Sequence, residues 1–286
     1  MSEVGEIKKS ASTRTRRTIA YIVLILLTIL CLFWFYLLLI YATRSSGDIQ
    51  RGVSFIPSNK FASNFSKTLH SSQGAVRALF NSLIIATSTT VLTVYFSTMT
   101  AYAIHAYKFK MRNFFFTFIL MVMMIPNQVT VLGLLKILRE VNLMDNYTAL
   151  IIPAIASPVT FYYMKQYMES ALPYALIEAA RIDGSGEWRT FNTIALPLMK
   201  PAIAVQAIFS FVGSWNNFFL PSHIITKIKL KTMPIVISEL KTSDPQNFDL
   251  GVVYMTIFLA IFPVIVVYLL LSKYIVGGIA MGSVKG

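Results

Sequence analysis

Residues 19–41 read IAYIVLILLTILCLFWFYLLLIY, 23 positions without a charged side chain. At about 1.5 Å of rise per residue, such a helix crosses the roughly 30 Å hydrocarbon layer of a bilayer. The pattern recurs from about Leu79 to Ala106, Phe114 to Leu135, Thr148 to Met164, Ala202 to Leu220 and Val252 to Ser272. The chain is therefore expected to be an all-α integral membrane protein with six transmembrane helices. Arg14, Arg16 and Arg17 precede the first run as they would in a secretory signal, but its apolar stretch exceeds the usual ~7–15 residues, so it reads as an uncleaved first span.

Composition agrees. Of 286 residues, 56% are hydrophobic and 13% charged, with a mean hydropathy of +0.65. A soluble domain carries about 25% charged residues, so this chain has too little charge to cover a water-facing surface, and it is too apolar to be disordered. The net charge of +13 would suggest nucleic acid in a soluble chain. Here anionic lipid headgroups and topology account for it, and no nucleic-acid partner is expected. The single cysteine, Cys31, excludes an internal disulfide and a cysteine metal cluster, and His70, His105 and His223 are too scattered for a metal site.

Lysine and arginine resist translocation, so short segments rich in them stay in the cytosol. Lys8, Lys9, Arg14, Arg16 and Arg17 precede the first span, and Lys108, Lys110 and Arg112 crowd the turn between the second and third. Six spans then leave both termini cytosolic. The expected organisation is an N-terminal tail over 1–18, a six-helix membrane domain over 19–275 with a cytosolic loop at 164–200, and a C-terminal tail over 276–286. The outward segments hold 11 of the 25 basic residues, so an independent marker has to agree with this orientation. No acid lies within a span, which argues against an ion-coupled transporter, and no G-x-x-x-x-G-K-[ST] loop is present to bind a nucleotide. Energy for active transport would have to come from a partner.

The loop between the fourth and fifth spans carries Lys165, Glu169, Glu178, Arg181, Asp183, Glu187, Arg189 and Lys200, too polar for lipid. Its centre predicts a helix over 173–183. Pro173 suits the start, Leu176, Ala179 and Ala180 favour the interior, and Gly184 can end it in a left-handed conformation. Tyr174, Ile177 and Ala180 or Arg181 share one side, while Glu178 and Asp183 point elsewhere. Taken by composition alone, it is an interfacial surface helix.

Glu178-Ala179-Ala180, Gly184, Ile194 and Leu196-Pro197 match EAA-x3-G-x9-I-x-L-P without a gap. The chain thereby resembles the inner-membrane permease subunits of ATP-binding cassette importers. The resemblance implies a type I importer permease fold in a prokaryotic plasma (inner) membrane. It also implies partners: a homologous sister permease, two ATPase subunits that bind the ATP, and an extracytoplasmic solute-binding protein. The chain itself would be non-catalytic and need no cofactor. The 173–183 helix would sit in an ATPase cleft, where small Ala179 and Ala180 allow close approach, Gly184 permits a sharp turn, and Pro197 ends the segment before the fifth span. Glu178 would pair with a basic ATPase residue; the alternative is an internal pair with Arg181 at i,i+3.

Two further stretches resemble the carbohydrate-uptake branch, of the maltose type. Trp215-Asn216-Asn217-Phe218-Phe219-Leu220-Pro221 is similar to its W-N-[ED]-F-x-x-P pattern, with Asn217 in place of the acid. The end of the chain is similar to its G-[AS]-V-K-G tail, which implies that Ser283, Val284, Lys285 and Gly286 reach between the two ATPases; a bare terminus of this composition otherwise frays. A sugar is thus the implied substrate, and a non-sugar solute remains the alternative within the family. An intramembrane hydrolase would need a serine facing a histidine such as His105 at bilayer depth, and no G-x-S-G segment is present.

Polar residues at bilayer depth should turn toward a bundle or a wet cavity. Gln206, Ser210, Gly213 or Ser214, and Asn217 fall on one face of the fifth span, and Asn127 and Gln128 lie near the middle of the third. With Trp215 and Asn216 they are the candidate pathway residues, because amide hydrogen bonds and aromatic stacking hold an uncharged sugar. The resemblance, however, implies that the sister permease makes most substrate contacts. Ser82, Thr89, Thr93, Ser97 and Thr100 form a comparable stripe on the second span, read first as a close-packing surface. Pro126, Pro153, Pro158 and Pro263 should each free a backbone carbonyl within a span.

Overall fold

Proline decides which apolar runs remain single helices. A computed structural model describes residues 2–71, 74–242 and 248–282. In chain order its helices are α1 (Ser2–Ala42), α2 (Ser46–Gln50), α3 (Phe61–Leu69), α4 (Ala75–Ala106), α5 (Arg112–Val122), α6 (Asn127–Glu140), α7 (Thr148–Ile155) and α8 (Pro158–Ala171). There follow α9 (Tyr174–Ile182), α10 (Glu187–Thr190), a π-helical turn at Phe191–Ala195, α11 (Leu196–Leu198), α12 (Lys200–Trp215), α13 (Phe219–Ile224), a 3-10 turn at Ile228–Leu230, α14 (Met233–Thr242) and α15 (Leu250–Gly282). The described residues divide into two compact units, one within 1–68 and 243–259, the other within 69–242 and 260–286.

In the first unit the expected N-terminal tail is a continuation of the first-span helix, since α1 is helical from Ser2. From Ile19 to Tyr36 its side chains stand exposed, as a lipid-facing surface requires. Asn64, buried in α3, donates its amide to the Ala42 and Arg44 carbonyls at 2.9 and 2.8 Å, satisfying acceptors that the end of α1 leaves open. Gly251 presses on the same point: a Cβ there would lie 2.6 Å from the Arg44 carbonyl oxygen. Lys67 and Asp249 pair at 2.8 Å.

The second unit is built on α4, which packs against α7, α8 and α12 through small or β-branched residues such as Ala86, Thr93, Ala101 and Ala106. The third and fourth apolar runs are each broken rather than continuous. The residue before a proline disfavours helical geometry. The third run therefore stops at Val122 and restarts after Pro126, and the fourth is interrupted at Ser157, whose φ and ψ are −103° and 100°, before Pro158 opens α8. Pro158 removes the donor that would have reached the Ala154 carbonyl, and the Thr93 hydroxyl of α4 supplies it at 2.8 Å. Pro126 and Pro158 thus sit at helix starts, whereas Pro153 and Pro263 are interior to α7 and α15.

The fifth run, expected over Ala202 to Leu220, lies mostly in α12, and an 80° bend separates Lys200–Trp215 from Glu187–Leu198 in the loop before it. Pro197 lies inside the Leu196–Leu198 turn instead of ending the segment; the break falls at Met199, just before Pro201. The sixth extends to Gly282, so residues 276–282 of the expected C-terminal tail are helical, and Ser283–Gly286 lie outside the described residues. Among the described residues, three helical stretches can cross a membrane by length and composition, Thr13–Ala42, Ala75–Ala106 and Leu250–Tyr274, and the bent pair adds a fourth candidate.

Candidate coupling surface and polar cavity

The motif-bearing helix forms where local chemistry dictates. Pro173 fixes the entry to α9, and Gly184, at φ 75°, ends it. The Ser185 N–H reaches the Ala180 carbonyl at 2.9 Å and the Gly184 N–H reaches that of Arg181 at 3.1 Å, the paired bonds of a Schellman terminus. Ile177 is fully buried and Ala180 nearly so, while Glu178, Ala179 and Asp183 are exposed. The two alanines therefore divide their work: Ala179 faces outward, and Ala180 packs inward against its own chain. Ile177 joins Met164, Met168, Leu172, Phe191, Ala195 and Met199 in one core with the end of α4. Of the later motif positions, Ile194 and Leu196 are half-buried and Pro197 is exposed.

A carboxylate that the motif does not mark ties this loop to α4. Glu187 accepts from Arg181 Nε at 2.7 Å through one oxygen, and from the Tyr107 and Tyr102 hydroxyls at 2.9 and 3.3 Å through the other. The Arg181 guanidinium also lies over the Tyr107 ring, 5.5 Å from its centre. The Arg181 hydrogen bond is the main reason the Glu187 carboxyl titrates below the usual carboxylate range. Because Arg181 is committed to Glu187, Glu178 is left without an ion partner among the described residues. On the same helix as Glu178, Leu176 and Ile182 expose apolar side chains, Ile182 at 86%. Spacing rules for one helix do not find this cluster, since Arg181 and Glu187 are six apart and the tyrosines some 80 residues away. Lys108, from the basic turn after α4, stands over the Tyr174 ring of α9 at 5.0 Å.

Segments expected on the other side also meet one another. Asp145 accepts from the Thr226 N–H at 2.6 Å, the Thr226 hydroxyl at 2.7 Å and the Lys227 N–H at 3.0 Å, which hold its carboxyl below the usual range. Asn81, at the start of α4, donates to the Lys229 and Lys231 carbonyls.

Between these two ends, α4, α7, α8 and α12 border a half-open cavity of about 410 Å³. Gln206, Ser210, Gly213, Ser214 and Asn217 line it together, as their spacing on one helix face predicts. Thr89 and Thr93 of the hydroxyl stripe join them, so part of that stripe is cavity wall; Ser82 instead accepts from the Met233 N–H at 2.8 Å. Trp215 and Asn216 do not line it. Trp215 is buried, stacked on Phe211 with ring centres 5.7 Å apart, and its indole N–H donates to the Ala260 carbonyl at 3.1 Å, one residue from the carbonyl that Pro263 deprives of a donor. Gln128 is exposed near the start of α6, and the side chain of Asn127 lies outside the described residues. His105 Nε2 bonds the Leu172 carbonyl at 2.9 Å, closing the end of α8. Among the described residues no cluster of His, Cys, Asp and Glu could hold a metal.

The sequence pattern of the family described as "Binding-protein-dependent transport system inner membrane component" matches residues 94–279. The chain belongs to that family. As such it is an inner-membrane component of an ATP-binding cassette transport system. Among curated relatives of this inner-membrane component, the arabinooligosaccharides transport system permease protein AraQ of Bacillus subtilis is 36% identical, over 91% of this chain and 93% of that protein. The sn-glycerol-3-phosphate transport system permease protein UgpE of Yersinia enterocolitica is 30% identical, over 91% and 94%. A chain in the crystal structure of a bacterial ABC transporter involved in the import of the acidic polysaccharide alginate shares the fold, with a TM-score of 0.79 at 21% identity, covering 92% of this chain and 97% of that one.

Proposed function

We propose that this chain is the permease subunit of an importer for a sugar or oligosaccharide, crossing the membrane six times with both termini in the cytosol. Two of the six crossings are broken helices, α5 with α6 and α7 with α8. The orientation is supported by which segments touch: the basic turn after α4 packs on α9, and the outward segments around Asp145 and Lys229 pack on each other. The permease is non-catalytic; ATP is bound and hydrolysed by two partner ATPase subunits, and the other partners are a homologous sister permease and an extracytoplasmic solute-binding protein.

The observation that carries this reading is the form of α9. It is anchored from behind by Ile177 and the Glu187 clamp and presents an unpaired Glu178 beside exposed Ile182 and Leu176. A helix held this way moves as one body with α4 when an ATPase pair closes on it, which is what mechanical coupling requires. The tail at Ser283–Gly286 is assigned to the ATPase interface on its resemblance alone. The sugar assignment draws on AraQ and on the uncharged amides facing the cavity. Affinity purification of the importer expressed with its neighbouring genes tests the reading: an ATPase should co-purify, and Glu178→Lys should abolish ATP-driven sugar uptake. A chain that purifies without an ATPase, with uptake unaffected by Glu178→Lys, overturns it.

A further inference from the structure

We propose that the cavity bordered by α4, α8 and α12 is a binding subsite for a neutral sugar unit, so that this subunit holds substrate itself and disfavours anionic solutes. The proposal rests on the importer reading above and adds to it a location and a substrate class.

The cavity falls within the roughly 300–1,000 Å³ range of small-molecule pockets. Its wall offers hydrogen-bonding groups left unused by the protein. The Thr89 hydroxyl belongs to a residue only 5% exposed and has no partner among the described residues, an arrangement that costs free energy unless something in the cavity completes it. Gln206, 6% exposed, likewise bonds to no described residue, and Asn217 uses only its carbonyl oxygen, leaving its amide donors free. Phe209 adds an aromatic face. Donors and acceptors mixed with an aromatic ring match the hydroxyls and apolar ring faces of a sugar.

Charge sets the class. Every side chain lining the cavity is uncharged, so a carboxylate or phosphate entering it would lose water without meeting a cation. The start of α8, which borders the cavity and could otherwise receive an anion, offers little beyond the single Val159 N–H. Pro158 has no N–H, and the Thr160 N–H is taken by the Ser157 hydroxyl. A neutral hydroxylated solute has no such penalty.

The test uses the complete importer reconstituted in proteoliposomes with its binding protein. ATP-driven uptake is measured for maltotriose, xylotriose and trigalacturonate, alongside ATPase co-purification and ATP hydrolysis. Uptake should favour a neutral trisaccharide over the uronate at least tenfold. Thr89→Val, nearly isosteric, and Gln206→Leu should each raise the half-saturating sugar concentration about threefold to tenfold in complexes from which the ATPase still co-purifies. If Gln206→Leu fails to assemble, Thr89→Val alone decides. Preferential uptake of the uronate, uptake of neither class by a complex that still hydrolyses ATP, or unaltered saturation in Thr89→Val overturns the subsite while the coupling assignment stands. Loss of the ATPase from the wild-type complex would instead strike the importer reading.

Discussion

Replacing Glu187 by glutamine should loosen the coupling loop without unfolding the unit that carries it. The change keeps the side chain's shape but removes the charge that holds Arg181 at 2.7 Å and weakens acceptance from the Tyr107 and Tyr102 hydroxyls. A hydrogen bond to a charged group contributes about 1.5–3 kcal/mol. Glu187 and Arg181 are 41% and 31% exposed, so water screens the pair and brings its contribution to about 1 kcal/mol. The tyrosine bonds add a fraction of that, since an amide oxygen turned to their side still accepts from both, as a neutral acceptor. Local opening of the loop should then become about fivefold to tenfold more frequent. Hydrogen–deuterium exchange of the detergent-solubilised importer reads this directly. Peptides covering 174–198 should exchange faster by that factor, with α12 and α15 unaltered. Unchanged exchange in these peptides, or acceleration spread evenly over the second unit, would refute the clamp.

Other outcomes follow from single contacts. Trp215→Phe removes the indole donor that ties α12 to the Ala260 carbonyl, next to the carbonyl that Pro263 leaves open, and should cost about 0.5–1.5 kcal/mol, seen as a lower thermal unfolding midpoint with no change in half-saturating sugar. Gly184→Ala forces a Cβ into the left-handed region at φ 75° and should cost about 1 kcal/mol, read as faster exchange of the 180–186 amides. The Asp145 carboxyl is held below its ordinary value, near 3.9, by the Lys227 and Thr226 donors, so its stabilisation is complete above that value and lost as pH falls through the lower folded one. Pepsin cleavage within 224–231 should accordingly rise only on the acid side of about pH 3.9, and Asp145→Asn should remove the step.

What could be read in the chain and what could not divides by the range of the interaction. Charge-free runs at 19–41 and 79–106 needed only composition, and α9 with its Gly184 terminus needed only local cap chemistry, so these stand as the sequence implied. The third and fourth runs pitted hydropathy against Pro126 and Pro158. Hydropathy favours one helix, backbone sterics before proline favour two, and sterics won. The cavity face of Gln206, Ser210 and Asn217 followed from helical spacing, but the partners across it, Thr89 and Thr93, could not be told from packing residues without knowing which helices α4 touches. Trp215 shows the same limit: its indole N–H goes to a carbonyl 45 positions away. The Glu187 clamp escaped notice because its donors are 80 and 85 residues distant, beyond any spacing rule.

The docking of α9 on an ATPase can be tested by proximity alone. Cys31 is the sole cysteine and is exposed in α1, so Cys31→Ser gives a cysteine-free background for site-specific cross-linking. Glu178→Cys and Ile182→Cys, labelled with a short photoactivated cross-linker in the assembled importer, should each capture the ATPase subunit, and Glu140→Cys on the expected outer side should not. Capture of the ATPase from position 140, or from neither 178 nor 182 in a complex that still hydrolyses ATP, would contradict the coupling role of this helix.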